Sequence, residues 1–389
     1  FLKDRLGISR IVLPELPVIP LGIHTTDFSF TGLQKISSRE SLKIDKNSIV
    51  VLYTGRLSFH AKAHPLAMYQ ALEIAYHQTG KSVVLIECGW HANQAISNSF
   101  SEAAKRFCPS IKVIYLDGRQ SENRTLAWSS ADIFCSLPDN IQETFGIVPI
   151  EAMASGLPVV VSDWDGYKDT VRDKVDGFRI PTLIPDAHLG TDLAQRYALE
   201  IDNYDMYCGY TSSLISVDVL EASNAFIKLI QSSSLRIQMG QSGLKRAQEI
   251  FDWGVIYKQY EDLWKQLKIL RQDSQSISNY SKSWPGRTNP FQGFSTYATN
   301  HLSLNSTLSL VDIQFQNSFE RFLDIKNLKM VSFADLILPK QDEVKCLFLN
   351  LSKGPMIVSD LLLSFEVGRR PLIFRGLVWL IKVNLIKLV

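Results

Sequence analysis

The sequence predicts an α/β protein in which residues 25–271 form a doubly wound parallel sheet, and three observations lead to this prediction. Short apolar runs typical of buried strands recur at 50–54, 83–86, 113–116, 133–137 and 159–161. Helical patterns separate them at 66–78, 92–107 and 122–130. Strand and helix therefore alternate, which is typical of a parallel sheet covered by helices on both faces. After residue 271 the composition changes, so a second, smaller region follows.

The first predicted strand ends at a glycine turn that carries two cations. Gly55 and Arg56 follow the strand directly, and Lys62 stands a short distance further along the chain. Exposed cations of this kind are often ordinary surface residues. At the carboxyl end of a strand such cations can also face a ligand of the sheet.

Later strand ends also carry polar residues. Asp117, Gly118 and Arg119 follow the third run, and Glu143 lies in the segment after the fourth. Ligands of open α/β sheets bind in the crevice outside the carboxyl ends of the strands. We therefore expect these residues to line one crevice.

The run 143–161 places two carboxylates around a loop-to-helix junction. Pro149 suits the start of a helix, and Gly156 suits its end. The N-terminus of such a helix attracts an anionic group such as a diphosphate. Glu151, in the first turn, could accept hydrogen bonds from two ribose hydroxyls, and Glu143, on the loop, could face a sugar.

Taken alone, the two glutamates also fit a solvated loop acid and an ordinary first-turn carboxylate. The residues around them point elsewhere, because the whole run resembles the donor-site signature of retaining glycosyltransferases of family 4, which have the GT-B fold. That signature contains Glu, Phe-Gly, Glu-Ala-Met-Ala, a Gly and Pro-Val-Val in this order, and all of them stand in 143–161. The resemblance implies that the sheet is the Rossmann-like, donor-binding half of a GT-B fold.

The resemblance also implies residue roles and a reaction. Arg56 and Lys62 would stabilise the departing nucleoside diphosphate, and Glu143 would orient the donor sugar. The further donor contacts implied are Gly55, Arg119, Phe145, Gly146, Ile147 and Glu151, the last of these at the ribose. A hexose-type sugar would move to an acceptor with retention at the anomeric carbon, without a metal or another cofactor. Departure of the diphosphate and attack of the acceptor on the same face of the sugar would leave Glu143 without a covalent role. The rival mechanism makes Glu143 a covalent nucleophile.

Two segments are not explained by the family pattern. Of a Gly-Gly pair common in the family only Gly166 remains, with Asp165 beside it, so the contacts of this loop are not assigned. Residues 182–217 look like an insertion rich in tyrosine. Tyrosine rings either stack on sugars or fill a surface subdomain.

The chain is divided into four parts on these patterns. Residues 1–24 resemble an interdomain segment, so the chain is expected to be a fragment that lacks an N-terminal acceptor-binding domain and is inactive alone. Residues 25–271 are the predicted donor domain, and 272–309, rich in Ser, Asn, Gln and Thr, are a predicted linker. Residues 310–389 predict a helical module with helices at 344–351, 358–365 and 371–382.

This C-terminal module resembles a small winged helix, a fold that binds either DNA or other proteins. Its cations are scattered among apolar residues, at Arg369, Arg370, Arg375, Lys382 and Lys387. The scatter favours a protein partner for 340–389 over nucleic acid. A membrane-interface helix at 372–389 and a simple core role for its apolar residues are two further interpretations.

Composition and cysteine usage limit the other classes of function. With 41 basic and 39 acidic residues, there is no electrostatic case for nucleic acid or an anionic membrane as the main partner. The five cysteines form no Cys-x-x-Cys pair, which favours reduced thiols and a cytoplasmic location, with peripheral membrane contact as an option. His60 and His64 stand four apart without an evident third ligand, so no metal site is predicted.

The combined prediction is a glycosyltransferase whose partners are a nucleotide sugar and a glycan, lipid or small-molecule acceptor. The alternative is a non-catalytic nucleotide-binding or scaffold protein that acts through its C-terminal module.

Overall fold

The computed structural model describes residues 16–273 and 289–389. Residues 1–15 of the predicted interdomain segment and 274–288 of the predicted linker lie outside the described residues. Among the residues that are described, no helix is long and apolar enough to cross a membrane.

A large parallel sheet forms the centre of the fold. Its strands are β1 (Ile49–Thr54), β2 (Val83–Gly89), β3 (Lys112–Asp117), β4 (Ile133–Ser136), β5 (Val159–Ser162) and β6 (Gly177–Ile180). They lie in the order β3-β2-β1-β4-β5-β6, and each neighbouring pair is parallel. The strand order reverses between β1 and β4, and such a switch point opens a crevice at the carboxyl ends of the two strands. The predicted fold class is confirmed.

Helices cover both faces of this sheet. The α-helices between residues 25 and 273 are α1 (Gly32–Ser41), α2 (Leu66–Thr79), α3 (Gln94–Phe107), α4 (Ser121–Ser130), α5 (Ile147–Ala154), α6 (Tyr167–Thr170), α7 (Thr191–Ala198), α8 (Tyr204–Ser212), α9 (Val219–Gln231), α10 (Ser233–Arg246) and α11 (Trp253–Asp273). Val51 belongs to the core shared with α2 and α9, whereas its neighbours Val50 and Leu52 belong to the core shared with α4 and α5. This alternation follows from the two-residue period of a strand, and it explains why β1 is apolar on both faces from Ile49 to Leu52.

Helix α5 begins two residues before the predicted start at Pro149, at Ile147. Gly146 has a positive φ of 76° and turns the chain directly into the helix. Pro149 still lies in the first turn, where its missing N–H would have had no intrahelical partner. At the other end, Gly156 adopts the left-handed conformation that the sequence predicts, with φ of 71°.

The predicted insertion and the described part of the predicted linker share a small sheet. It consists of β7 (Thr182–Ile184), β8 (Ser216–Val217) and β9 (Asn300–His301), in the order β8-β7-β9. A short helix, α12 (Pro290–Gly293), precedes β9 and buries Phe291. Tyr207 and Tyr210 of the insertion are also buried, so these rings fill the core.

The C-terminal region combines a second small sheet with helices. Its elements are β10 (Thr307–Leu310), α13 (Phe315–Lys326), α14 (Lys329–Ser332), α15 (Gln341–Leu351), β11 (Met356–Ile357), α16 (Val358–Leu363), α17 (Arg370–Lys382) and β12 (Ile386–Leu388). The strands are antiparallel in the order β11-β10-β12. Helices form at all three predicted places, and the resemblance to a winged helix stays a prediction.

Helix α17 lies inside the molecule. Leu377, Trp379 and Leu380 are buried, as expected if these residues are core rather than a membrane-interface face. They belong to the same apolar cluster as Val51 of β1, and α17 packs beside β8. The C-terminal region therefore shares a core with the α2 and α9 face of the large sheet.

Candidate functional site

The loops at the carboxyl ends of β1, β2 and β3 are joined by backbone hydrogen bonds. The Gly55 N–H donates to Cys88 O at 3.1 Å, and the Gly118 N–H donates to Gly89 O at 2.9 Å. Gly55 itself has a φ of 146°, a conformation that favours glycine. These bonds fix the turn that leads into Arg56 and form one side of the crevice.

The predicted residues Lys62 and Glu143 meet at the switch point. Lys62 lies in the turn after β1, Glu143 lies in the loop after β4, and the Lys62 Nζ donates to Glu143 Oε2. Glu143 is buried and its N–H donates to Asn140 O at 3.1 Å, whereas Lys62 retains 27% of its side-chain exposure. The pair therefore places a cation that solvent can reach beside a fixed carboxylate.

Arg56 closes the turn that carries Lys62. Its Nη2 donates to Ala61 O at 2.9 Å, and the Tyr53 hydroxyl donates to Arg56 O at 3.3 Å. Burial, assisted by the Arg56 charge and opposed by Asp205, lowers the pKa of the nearby His60. His60 is therefore neutral near pH 7, and the positive charge of this turn comes from Arg56 and Lys62.

The N-terminus of α5 is held against the crevice by a tyrosine. A Cβ atom on Gly146 would lie 1.7 Å from Cε1 of Tyr167, so a larger residue does not fit there. The Tyr167 hydroxyl shares a 3.0 Å hydrogen bond with Ser136 at the end of β4. Ile147 is partly exposed, and the first N–H groups of a helix lack intrahelical acceptors. The first N–H groups of α5 can therefore donate hydrogen bonds to an anion bound beside this junction.

Gly166 packs closely against the same loop. A Cβ atom there would lie 2.2 Å from Thr144 O and 2.6 Å from the Phe145 Cα. No contacts were assigned to this segment from the sequence. In the structure, Gly166 packs against the backbone that directly follows Glu143. Phe145 in turn packs edge-on against Phe251.

Glu151 lies one turn into α5 and is partly buried. Burial raises its pKa to about 7, and the charge of Arg124 opposes that shift. Arg124, on α4, also donates to Gly118 O at 2.8 Å and to Arg119 O at 3.2 Å. Arg124 was not among the residues predicted from the sequence, although a cation in the first turn after a strand-end loop is a usable signal.

Arg119 lies at the rim, away from the Lys62 and Glu143 contact. Its side chain is 68% exposed and pairs with Asp117 at 2.7 Å, and this lowers the pKa of Asp117 to about 2. Both residues line a cavity of about 360 Å³ together with Trp90, His91 and Tyr115. The hydrogen bonds from Arg124 hold the backbone of this loop rather than the guanidinium of Arg119.

A buried carboxylate on β2 also supports the site. It was not predicted from the sequence. Glu87 is fully buried, and it accepts a 2.8 Å hydrogen bond from the Tyr69 hydroxyl. Burial raises its pKa to about 7. Burial, and after it the charge of the same carboxylate, raises the pKa of Tyr53, whose hydroxyl donates to Arg56 O.

The histidines near Lys62 have other roles than a shared ligand set. His64 is buried, its Nε2 lies 3.4 Å from Met330 O, and its Nδ1 accepts from the Leu66 N–H. In the described ranges, no group of three or more His, Cys, Asp or Glu side chains could hold a metal ion.

The strand order and the polar groups at the switch point define the class of this unit, a doubly wound α/β domain of Rossmann type with a crevice at the carboxyl ends of β1 and β4. Residues 34–189, which include β1 to β7 and the crevice, match the family model described as "Glycosyl transferases group 1". The part of the chain that holds the site is thus similar in sequence to glycosyltransferases.

Individual proteins give the same similarity. An uncharacterized glycosyltransferase of Methanocaldococcus jannaschii is 28% identical over 181 residues, which are 44% of this chain and 43% of that protein. The phosphatidyl-myo-inositol mannosyltransferase of Mycobacterium leprae is 45% identical over 58 residues, 15% of each chain. The structure of Anabaena HepE in complex with UDP and glucose has a TM-score of 0.45 and 18% identity, covering 63% of this chain and 55% of that one. The matches span less than half of the length of these two curated relatives.

Proposed function

We propose that the sheet domain binds a nucleotide sugar and that the protein is part of a retaining glycosyltransferase of family 4. This enzyme transfers a hexose-type sugar. The observation that carries this proposal is the contact between Lys62 and Glu143 beside the N-terminus of α5. It brings together a cation, a carboxylate and free helix amides, which are the groups that a sugar diphosphate needs. The mannosyl transfer named for one relative supports a hexose donor.

Lys62 and Arg56 stabilise the leaving diphosphate in this proposal. A lysine ammonium has three donors, and Glu143 occupies one of them, so Lys62 can bind a phosphate oxygen without losing its position. The helix amides at 145–147 add partial positive charge on the other side. Preorganised cations and amides of this kind stabilise developing negative charge without a metal.

The two glutamates have different tasks because their surroundings differ. Glu143 is buried and held at its backbone, so it orients the donor sugar through its carboxylate. Glu151 is largely buried and interacts electrostatically with Arg124, and in this proposal its carboxylate accepts hydrogen bonds from the ribose hydroxyls. The acceptor is a glycan, lipid or small molecule, bound outside the residues described above.

Calorimetric titration of the chain with UDP, GDP and ADP tests the donor site. At least one of these nucleotides should bind, and Glu151→Ala should weaken that binding. Unchanged affinity in the Glu151→Ala variant would remove Glu151 from the ribose role. If the wild-type chain binds none of the three nucleotides, the proposed donor site is wrong, and the scaffold alternative gains support.

The pH dependence of binding provides a second test. Because the pKa of Glu151 is about 7, its carboxylate gains charge between pH 6 and 8. Nucleotide affinity should therefore rise over this interval, since the ionised form accepts two hydrogen bonds. Glu151→Gln should remove this part of the pH dependence, while any contribution from the phosphate groups of the nucleotide remains.

A further inference from the structure

A buried ion pair joins the C-terminal helix to the loop that carries Glu143. Lys382, the last residue of α17, donates to Asp139 Oδ2 and, at 2.7 Å, to Ser212 O. Asp139 lies in the loop after β4, a few residues before Glu143. The Lys382 and Asp139 side chains are only 4% and 3% exposed, so this contact is sealed from solvent.

The same carboxylate also holds the turn that carries Lys62. Asp139 Oδ1 accepts a 3.2 Å hydrogen bond from the His64 N–H. The adjacent Asn140 donates from its Nδ2 to His60 O at 2.9 Å, and its own carbonyl accepts from the Glu143 N–H at 3.1 Å. Asp139 and Asn140 therefore connect segments 58–64 and 137–143, from which Lys62 and Glu143 reach each other.

A second part of the C-terminal region contacts the Lys62 turn. The ring of Phe333, just after α14, lies 5.6 Å from the ring of Phe59 and 6.1 Å from that of His60. Met330 O lies 3.4 Å from His64 Nε2. Two separate C-terminal segments thus brace one turn of the crevice.

The energetics of such a pair favour a positioning role over a stabilising one. Desolvation of two buried charges offsets much of their attraction, so apolar residues of similar size often give equal stability. A buried ion pair is directional, however, and it tolerates little displacement of either partner. Burial lowers the pKa of Lys382 and raises that of Asp139, so each charge depends on the other.

We propose that Lys382 is a positioning residue for the donor site: through Asp139 it sets the relative placement of the loops that carry Lys62 and Glu143. This inference rests on the proposed function. It gives the C-terminal region a task inside the molecule that differs from reading nucleic acid. In agreement, Arg369 is paired with Glu343, Arg375 with Asp192 and Lys382 with Asp139, so these cations are already engaged.

The experiment compares variants of the full chain that differ in which α17 contact they lose. Lys382→Met with Asp139→Asn removes the pair without leaving a lone buried charge, and the oxygen of the introduced amide can still accept from the His64 N–H. Arg375→Met is the matched control, because Arg375 is a buried cation of the same helix whose partner Asp192 lies on α7. Each variant is titrated with the nucleotide among UDP, GDP and ADP that binds wild type best.

We expect the double variant to melt within a few degrees of wild type but to bind the nucleotide about tenfold more weakly, a normal size for loss of an indirect contact. Hydrogen exchange in 58–64 and 137–143 should become faster in the double variant and stay unchanged in Arg375→Met. Wild-type affinity and exchange in a folded double variant would overturn the inference while leaving the donor site intact. Equal weakening by Arg375→Met would also overturn it. Failure of wild type to bind any of the three nucleotides would instead remove the proposed function and this inference with it.

Discussion

The loop after β4 carries two lysine–carboxylate pairs, one through Asp139 and one through Glu143, and the pairs differ in access to solvent. Lys62 pairs with Glu143 at the crevice and keeps 27% of its side-chain exposure. Lys382 pairs with Asp139 inside the core and keeps 4%. The chemistry of the two contacts is the same, but only the first can exchange part of its hydrogen bonding for a ligand. Position relative to water therefore separates a binding pair from a supporting pair.

The largest effect should come from breaking the buried pair on one side only. Lys382→Met leaves Asp139 as an unpaired buried charge, and we expect a loss of about 3–5 kcal/mol in the free energy of unfolding. Urea denaturation followed by circular dichroism measures this loss. Adding Asp139→Asn should recover a large part of it. A loss below about 1 kcal/mol for the single variant would mean that the pair is exposed in solution.

A buried carboxylate without a lysine partner sharpens the comparison. The pKa of Glu87 is about 7 in the folded protein against an ordinary value of 4.5. Between these values the folded state binds more protons than the unfolded state, so the free energy of unfolding should fall as pH rises from 4.5 to 7, by up to about 3 kcal/mol. Denaturation at pH 5 and pH 8 should show a smaller fall for Glu87→Gln. Glu320→Gln, at an exposed site, should behave like wild type.

The crevice pair should respond in the opposite way to the buried pair. Lys62→Met should lower the free energy of unfolding by less than Lys382→Met does, because solvent reaches Lys62 and can hydrate the Glu143 carboxylate once the ammonium is removed. Nucleotide affinity should fall about tenfold to a hundredfold, as for loss of a hydrogen bond to a charged group. Calorimetry and denaturation on one preparation measure both effects. Lys81→Met, an exposed lysine after α2, is the control and should change neither.

The smallest effect is expected at the ion pair on the rim of the crevice. Arg119 and Asp117 form an exposed contact at the rim, and the loop backbone is held by Arg124. Arg119→Ala should therefore leave the melting temperature unchanged and the nucleotide affinity within roughly twofold. A larger loss of affinity in calorimetry would show that the guanidinium itself contacts the nucleotide.

Much of the sheet was predictable because its signals are local. The apolar run of β1, the glycine after it and the helix stop at Gly156 depend on residues close together in the chain. The loop 117–119 and Glu143 were also placed at one crevice from sequence, since the carboxyl ends of parallel strands meet at one edge of a sheet, and the resemblance added Lys62 to them. Their individual roles came from the resemblance of the run 143–161, and they stay predictions.

The sequence by itself determined the succession of strands and helices along residues 50–161 and the loops that form the crevice. Tertiary structure alone decided what supports that crevice. Asp139 and Lys382 are 243 positions apart, and no local pattern marks a lysine that will be buried. Glu87 was missed for the same reason, since its significance lies in burial and in a partner from another element. Arg124 differs, because it contacts a loop close to it in the chain and a local signal for it was present. Desolvation and long-range pairing arise only when the chain is packed, so they leave no periodic trace in the sequence.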